Sequence, residues 1–290
     1  MRAAMGFFAS IDGVISPAAE ARVSVLDNGF TFGDAVYETL RTYGGRPFAL
    51  ERHLRRLRAS AGRIGVTIPE PDAQLAERLH ALLERAQNPE SYIRLIVSRG
   101  TGDISYHFER ISGPTIAMVV KPYEPLPESA YAEGVVVSLV SVRRNHPEAL
   151  DPAIKSCNLL NNLLATREAQ SKGALEAILL NLAGELAEGA GSNLFLVCDA
   201  EVLTPPLSAG ILAGITREIL FEIARDVGVP MREATLRAED LFQADEAFLT
   251  SSLKEVAPIR RVDGQSLKQC PGPVTRRLLE AFRAATRRWA

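Results

Sequence analysis

Stretches of strand-like composition and stretches with helical apolar spacing interleave along all 290 residues, yet never as a regular strand–helix–strand repeat. That irregular alternation is the pattern of an α+β architecture, not of a parallel sheet wound by crossover helices. In the first third, AVYETLRTY (residues 35–43) reads as a strand ending at the turn GGRP. Helices are expected over about 50–64 and 72–87, and SYIRLIVSRG (91–100) and PTIAMVVKP (114–122) read as strands. KPYEPLPESAYAEG then packs three prolines into a stretch with neither helical nor alternating apolar spacing. Beyond it come a strand (GVVVSLVSVRR), a helix closing at Gly173, a strand (LEAILLN), a hairpin (GSNLFLVCDAEVLTPP), a helix closing at Gly228, a short strand (DEAFLTSS) and a C-terminal helix. The expected organisation is an N-terminal α+β domain over 1–120, a linker over 121–131 and a C-terminal domain over 132–290.

Composition narrows the functional classes. Hydrophobic residues at 47% and charged residues at 23% are the balance of a soluble globular protein. A net charge of −2 gives no basic field for nucleic acid, and no Lys/Arg cluster carries interleaved aromatics. The most basic run, RHLRRLRAS (52–60), spaces Leu50, Leu54 and Leu57 as one apolar helix face with arginines around it. Cys157, Cys198 and Cys270 form no CxxC pair, and the four histidines lack ligand spacing, so neither a disulfide framework nor a metal site is expected. No apolar run reaches membrane-spanning length, and the early apolar stretch is broken by Asp12 too soon for a signal peptide. A cytoplasmic protein without membrane or nucleic-acid partners is expected.

Lysine usage points to chemistry. Of 33 basic residues only Lys121, Lys155, Lys172, Lys254 and Lys268 are lysines; the rest are arginines. Lys155 stands in DPAIKSCNLLNN, among small, apolar and amide side chains. Arginine stays protonated in proteins, whereas a partly desolvated lysine can lose its proton and act as a nucleophile. The plainer reading is a lysine snorkelling from a helix start. Three other stretches are suggestive. Glu188 precedes Gly-Ala-Gly-Ser, an awkward place for a charge unless a partner wants it, or else an exposed loop position. In SAGILAGITREIL, Gly210 and Gly214 lead into a helix start with Thr216 beside it, either an anion site or an ordinary capped helix. In FLTSSLKEV, the hydroxyls of Thr250, Ser251 and Ser252 could take a second side of a phosphate or simply close a turn.

Together a nucleophilic lysine, a carboxylate and two phosphate-type loops are the parts needed to hold pyridoxal 5′-phosphate. No GxGxxG follows an early strand and no GxxxxGK[ST] occurs. The chain resembles the class IV aminotransferases, the fold-type IV pyridoxal-phosphate enzymes, which include branched-chain and D-amino acid aminotransferases and aminodeoxychorismate lyase. The resemblance rests on SVLDNGFTFGDAVYETLR, HLRRLRASA, IKSCNLLNNLLATREA, EGAGSNLFLV, LAGITRE and DEAFLTSSLKEVAPI, in that order. It implies a small N-terminal α+β domain, a larger C-terminal domain built around a pseudo-barrel, a cofactor in the cleft between them, and a homodimer. It also implies roles. Lys155 would hold the cofactor as a Schiff base and move the proton between substrate Cα and cofactor C4′. Glu188 would pair with the pyridine nitrogen; Arg56, Ile215, Thr216 and Ser252 would bind the phosphate; Leu212 would pack on the ring; Tyr37, Arg94 and Leu253 would line the substrate pocket.

Within that family the motifs divide. YETLR replaces the YEGIR or FEGIR of branched-chain enzymes, and Leu160 stands where those enzymes usually have tyrosine. KSCNLL looks like the D-amino acid enzymes, but their Arg-x-His pair is absent after SRGT, where His107 stands without its arginine. YIRL, with Arg94, is closer to the branched-chain YIRP. Asp103 sits in the loop where the lyase usually shows a basic residue. The expectation is transamination of aliphatic amino acids with 2-oxoglutarate. D-amino acid or (R)-amine transamination is the alternative, and the lyase reaction is further off.

Overall fold

The computed structural model describes residues 6–289. The chain forms two compact units. One holds the described residues up to Glu124 together with Ile154–Asn158; the other holds Pro125–Ala153 and Leu159–Arg288.

In the first unit, the hairpin β1 (Phe8–Ile11) and β2 (Val14–Pro17) precedes the short helix α1 (Asn28–Thr31), the long strand β3 (Ala35–Tyr43) and the two-residue β4 (Arg46–Pro47). Helices α2 (Leu50–Arg63) and α3 (Asp72–Ala86) follow, then β5 (Ser91–Ser98) and β6 (Thr115–Pro122). The strands form one sheet in the order β2-β1-β6-β5-β3-β4, antiparallel throughout. β5 alternates buried Ile93, Leu95 and Val97 with half-buried residues, so one face of the sheet is apolar. Leu54, Leu57 and Ala61 of α2, and Leu75, Leu79, Leu82 and Ala86 of α3, recur at three- and four-residue spacing and cover that face. Each fully buried leucine contributes about 1.5–3 kcal/mol of hydrophobic stabilisation.

In the second unit, α4 (Glu128–Ala132) leads to β7 (Val135–Leu139), α5 (Pro147–Leu150), α6 (Leu160–Ser171), β8 (Glu176–Leu180) and β9 (Leu186–Gly189). Then come β10 (Asn193–Cys198), β11 (Glu201–Thr204), α7 (Ile215–Asp226), β12 (Met231–Glu233), α8 (Ala238–Gln243), β13 (Glu246–Ser251), β14 (Glu255–Val262), β15 (Gln265–Ser266) and α9 (Pro273–Trp289). The sheet runs β12-β11-β10-β13-β14-β7-β8-β9 with β15 on β14. Its last strand, β9, turns directly into the interior strand β10, and the Gly189 N–H donates to the Ser192 carbonyl at 2.7 Å across that turn. The sheet therefore curls back on itself as a partial barrel, filled by Val137, Ile178, Leu186, Leu194, Leu196, Leu249, Ala257 and Ile259.

One local expectation needs correction. The proline-rich stretch is not without regular structure: Pro122 ends β6, and Pro127 N-caps the single turn of α4. Just before Asp12, Phe8–Ile11 form β1, whose hairpin turn places Asp12 and Gly13 at positive φ. No helix among the described residues is long and apolar enough to cross a membrane, and no group of acidic, His or Cys side chains among them could hold a metal ion.

Candidate active site

Strand β3 organises one group of candidate residues, within the first unit. Its side chains alternate between faces. Val36, Glu38 and Leu40 are fully buried, whereas Tyr37 and Thr39 are half-buried on the opposite side. The returning segment Ile154–Asn158 lies against β3. The Tyr37 N–H donates to the Lys155 carbonyl at 2.9 Å, and the Cys157 N–H donates to the Ala35 carbonyl at 2.7 Å. The Lys155 N–H donates to the buried Ser60 hydroxyl of α2 at 3.2 Å. With its backbone fixed on both sides, Lys155 directs its Nζ to 4.6 Å from the Tyr37 ring centroid. Arg94 lies opposite Thr39 in the β3–β5 register, diagonal to Tyr37, and its Cζ sits 4.0 Å from the same ring centroid. Burial raises the pKa of the Tyr37 hydroxyl, with Arg94 opposing, and burial likewise pushes the Cys157 thiol up.

Arg56 reaches a carboxylate within its own unit. Its Nε and Nη2 each donate at 2.7 Å to the two oxygens of Glu38, and His53 Nδ1 is 2.7 Å from Glu38 Oε2. Burial opposes the charge on Glu38, but the Arg56 guanidinium, with the hydrogen bonds from Arg56 and His53, outweighs it and lowers the pKa to about 2. Burial also pushes His53 down, so the cluster is a carboxylate, a guanidinium and a neutral imidazole. A guanidinium carries five N–H donors, so holding Glu38 is compatible with contacting an anion as well.

A second group of candidate residues, within the second unit, centres on Glu188, at the end of β9 and buried. Arg144 Nε donates to its Oε1 at 2.9 Å. Its Oε2 accepts from the Leu212 N–H at 3.1 Å and from Asn193 Nδ2 at 3.3 Å. The charge before Gly-Ala-Gly-Ser is thus no exposed loop glutamate but a carboxylate held by three donors. Leu212 lies in the turn before α7, where Gly214 is the N-cap and no side chain caps the helix. The first-turn N–H groups near Ile215 and Thr216 therefore form a helix start suited to an anion. A Cβ on Gly214 would come within 1.9 Å of Asn193 Oδ1, so close approach requires glycine there. Ser252 and Leu253 occupy the half-buried turn between β13 and β14. That turn is fastened by the Lys254 N–H to Ser251 Oγ (3.1 Å) and by Lys254 Nζ to Glu176 Oε2 (2.5 Å).

The sequence singled out Lys155, Tyr37 and Arg94, which the structure gathers on one ring, and Glu188 and Leu212, which it joins by a hydrogen bond. It passed over Ser60, Glu38, His53, Arg144 and Asn193. His53, Arg56 and Ser60 recur at three- and four-residue spacing, a legible helix face; nothing local marks Arg144. By the chemistry of the donor set, the residues fit pyridoxal 5′-phosphate: a lysine amine for its aldehyde, a buried carboxylate for its ring nitrogen and an uncapped helix start for its phosphate.

Known proteins agree. The amino-transferase class IV family model matches residues 35–262. A Methanocaldococcus jannaschii protein provisionally named a branched-chain-amino-acid aminotransferase is 36% identical over 96% of this chain and 96% of its own length. The D-alanine aminotransferase of Bacillus licheniformis is 32% identical over 93% and 94%. Among solved structures, a branched-chain aminotransferase from Thermoproteus uzoniensis, determined with norvaline, superposes with a TM-score of 0.89 at 33% identity, covering 96% of this chain and 94% of that one. With most of its length matched by the family model, the chain belongs to the class IV aminotransferases, enzymes that depend on pyridoxal 5′-phosphate.

Proposed function

We propose that this aminotransferase moves the amino group of aliphatic L-amino acids of the branched-chain type to 2-oxoglutarate. The observation that carries the substrate reading is the stacking of Arg94 and Lys155 on one Tyr37 ring. It sets a cation beside the reactive amine, for a carboxylate, on the face of the Tyr37 ring. Arg94 in YIRL is also the feature of this chain nearest the branched-chain pattern. Bound pyridoxal phosphate supplies the electron sink for the pair left at the substrate Cα. The protein does the rest. Lys155 holds the cofactor and carries the proton between substrate Cα and cofactor C4′. Glu188 keeps a proton on the ring nitrogen. Arg56, the Ile215–Thr216 helix start and Ser252 bind the phosphate; Leu212 covers the ring face; Tyr37, Arg94 and Leu253 line the substrate pocket.

A second reading, transamination of D-amino acids, is supported by KSCNLL with Leu160 in it and by the D-alanine aminotransferase relative. The test is a half-reaction panel. L-valine, L-leucine, D-alanine and an (R)-amine are each added to the yellow holoenzyme, and bleaching of its visible band is followed. Fast bleaching by the L-branched substrates and slow bleaching by D-alanine supports the proposal; the reverse order replaces it with the second reading. We also propose a homodimer, supported by the exposed apolar side chains Val25, Phe30, Tyr106 and Phe108 in the first unit. Light scattering giving a monomer mass would reject it.

A further inference from the structure

Asn193 meets three parts of the second unit that are distant from one another in sequence. It is buried, and as the first residue of β10 it stands opposite Thr250 of β13. Its Nδ2 donates to Glu188 Oε2 at 3.3 Å and to the Leu212 carbonyl at 3.0 Å. Its Oδ1 lies where a Cβ on Gly214 would come within 1.9 Å, so the amide oxygen packs directly on the N-cap of α7. The Leu212 N–H donates to the same Glu188 oxygen at 3.1 Å, which closes a ring of three hydrogen bonds among Glu188, Asn193 and the 212 backbone. Only one orientation of the amide is compatible with this ring. Turned over, its oxygen would face a carboxylate oxygen and a carbonyl, with no donor between them. The tight Gly189–Ser192 turn brings Glu188 and Asn193 together from adjacent strands, so the amide is mounted on rigid backbone.

We propose that Asn193 is a positioning residue that locks the Glu188 carboxylate and the Leu212–Gly214 turn into one unit, so that the partner of the cofactor's ring nitrogen and the residues at its face and phosphate are held in a fixed mutual arrangement. The proposal rests on the reading that Glu188 meets the ring nitrogen. A carboxylate that loses one of its donors samples more orientations and presents its charge to the ring nitrogen less directionally, a loss felt only by a ligand that has that nitrogen.

The test compares two ligands on the cofactor-free protein, pyridoxal 5′-phosphate and its 1-deaza analogue, in which carbon replaces the ring nitrogen. Losing one hydrogen bond to a charged group should weaken binding roughly tenfold or more. Asn193→Ala should therefore weaken pyridoxal phosphate by that factor and the deaza analogue by less than about threefold. In a double-mutant cycle, Asn193→Ala should lower kcat much less in a Glu188→Gln background than in the wild type, because the charge it orients is gone. Equal weakening of both ligands, or of neither, overturns the proposal in favour of a purely structural asparagine. If the wild-type protein itself holds both ligands equally, the assignment of Glu188 to the ring nitrogen fails, and the proposal with it. Should Asn193→Ala not fold, by circular dichroism, Asn193→Ser in the same two-ligand comparison gives the same discrimination.

Discussion

At the scale of single residues, the two groups to which we assign the chemistry are held in opposite ways. Lys155 is fixed through its backbone, by β3 and by Ser60. Glu188 is fixed through its side chain, by Arg144, Leu212 and Asn193. A group that must carry a proton between two atoms needs the first arrangement; a group that must present a steady charge needs the second. Lys155→Ala should leave a folded protein with negligible turnover. Borohydride reduction of the holoenzyme followed by peptide mapping should place the cofactor on Lys155, and a label on Lys254 or Lys172 would refute the assignment. Glu188→Gln keeps size but loses charge, and its benefit arises mostly in the transition state for proton removal. The kcat should fall by roughly a hundredfold, about 2.7 kcal/mol of barrier, with KM changed far less. Turnover within about threefold of wild type would make Glu188 a structural carboxylate. Arg144 and Glu188 are buried together, so removing one partner alone leaves the other's charge less compensated. Arg144→Met should destabilise the protein by about 3–5 kcal/mol, and the double variant with Glu188→Gln by less, as chemical denaturation would show.

At the scale of elements, α2 and α7 offer their candidate residues by different physics. α2 offers side chains: His53, Arg56 and Ser60 follow one helix face, two of them gripping Glu38 beneath β3 and the third the Lys155 backbone. α7 offers its backbone, the uncapped first turn after Gly214. If Arg56 and Ser252 both meet the phosphate, losing a charge-assisted and potentially bidentate contact should matter more than losing one hydroxyl. Arg56→Ala should therefore release cofactor on dialysis faster than Ser252→Ala. Equal retention in the two variants would count against a shared role.

At the scale of the whole molecule, the same buried cluster links stability to pH. Glu38 is lowered from 4.5 to about 2, so its contribution is present above pH 4.5 and is lost as pH falls from there toward about 2. His53 is lowered from 6.5, so the unfolded chain takes up its proton first and stability begins to decline as pH drops below 6.5. Both effects act in the same direction. The melting temperature should fall gently below pH 6.5 and steeply below 4.5, and Glu38→Gln should flatten the lower limb. An unchanged lower limb would show that other carboxylates govern acid unfolding. The division between sequence and tertiary structure also belongs to this scale. The fold class, most strands and helices, and the family were legible in the sequence. Amphipathic spacing of the kind seen in Leu54, Leu57, Leu75 and Leu79 is a local property, and motifs such as HLRRL and EGAGSN keep their order along the chain. Even Glu188 and Lys155 stood out locally, as a charge among glycines and a lysine in a chain that prefers arginine. Pairings between distant segments were not legible. Lys155 joins the first unit through a five-residue return from a stretch otherwise in the second. Arg144 reaches Glu188 across 44 positions, and Asn193 reaches Leu212 across 19. Such contacts depend on which strand edges lie side by side, and sheet order is settled by burial of whole faces at once, so only the tertiary structure could decide them.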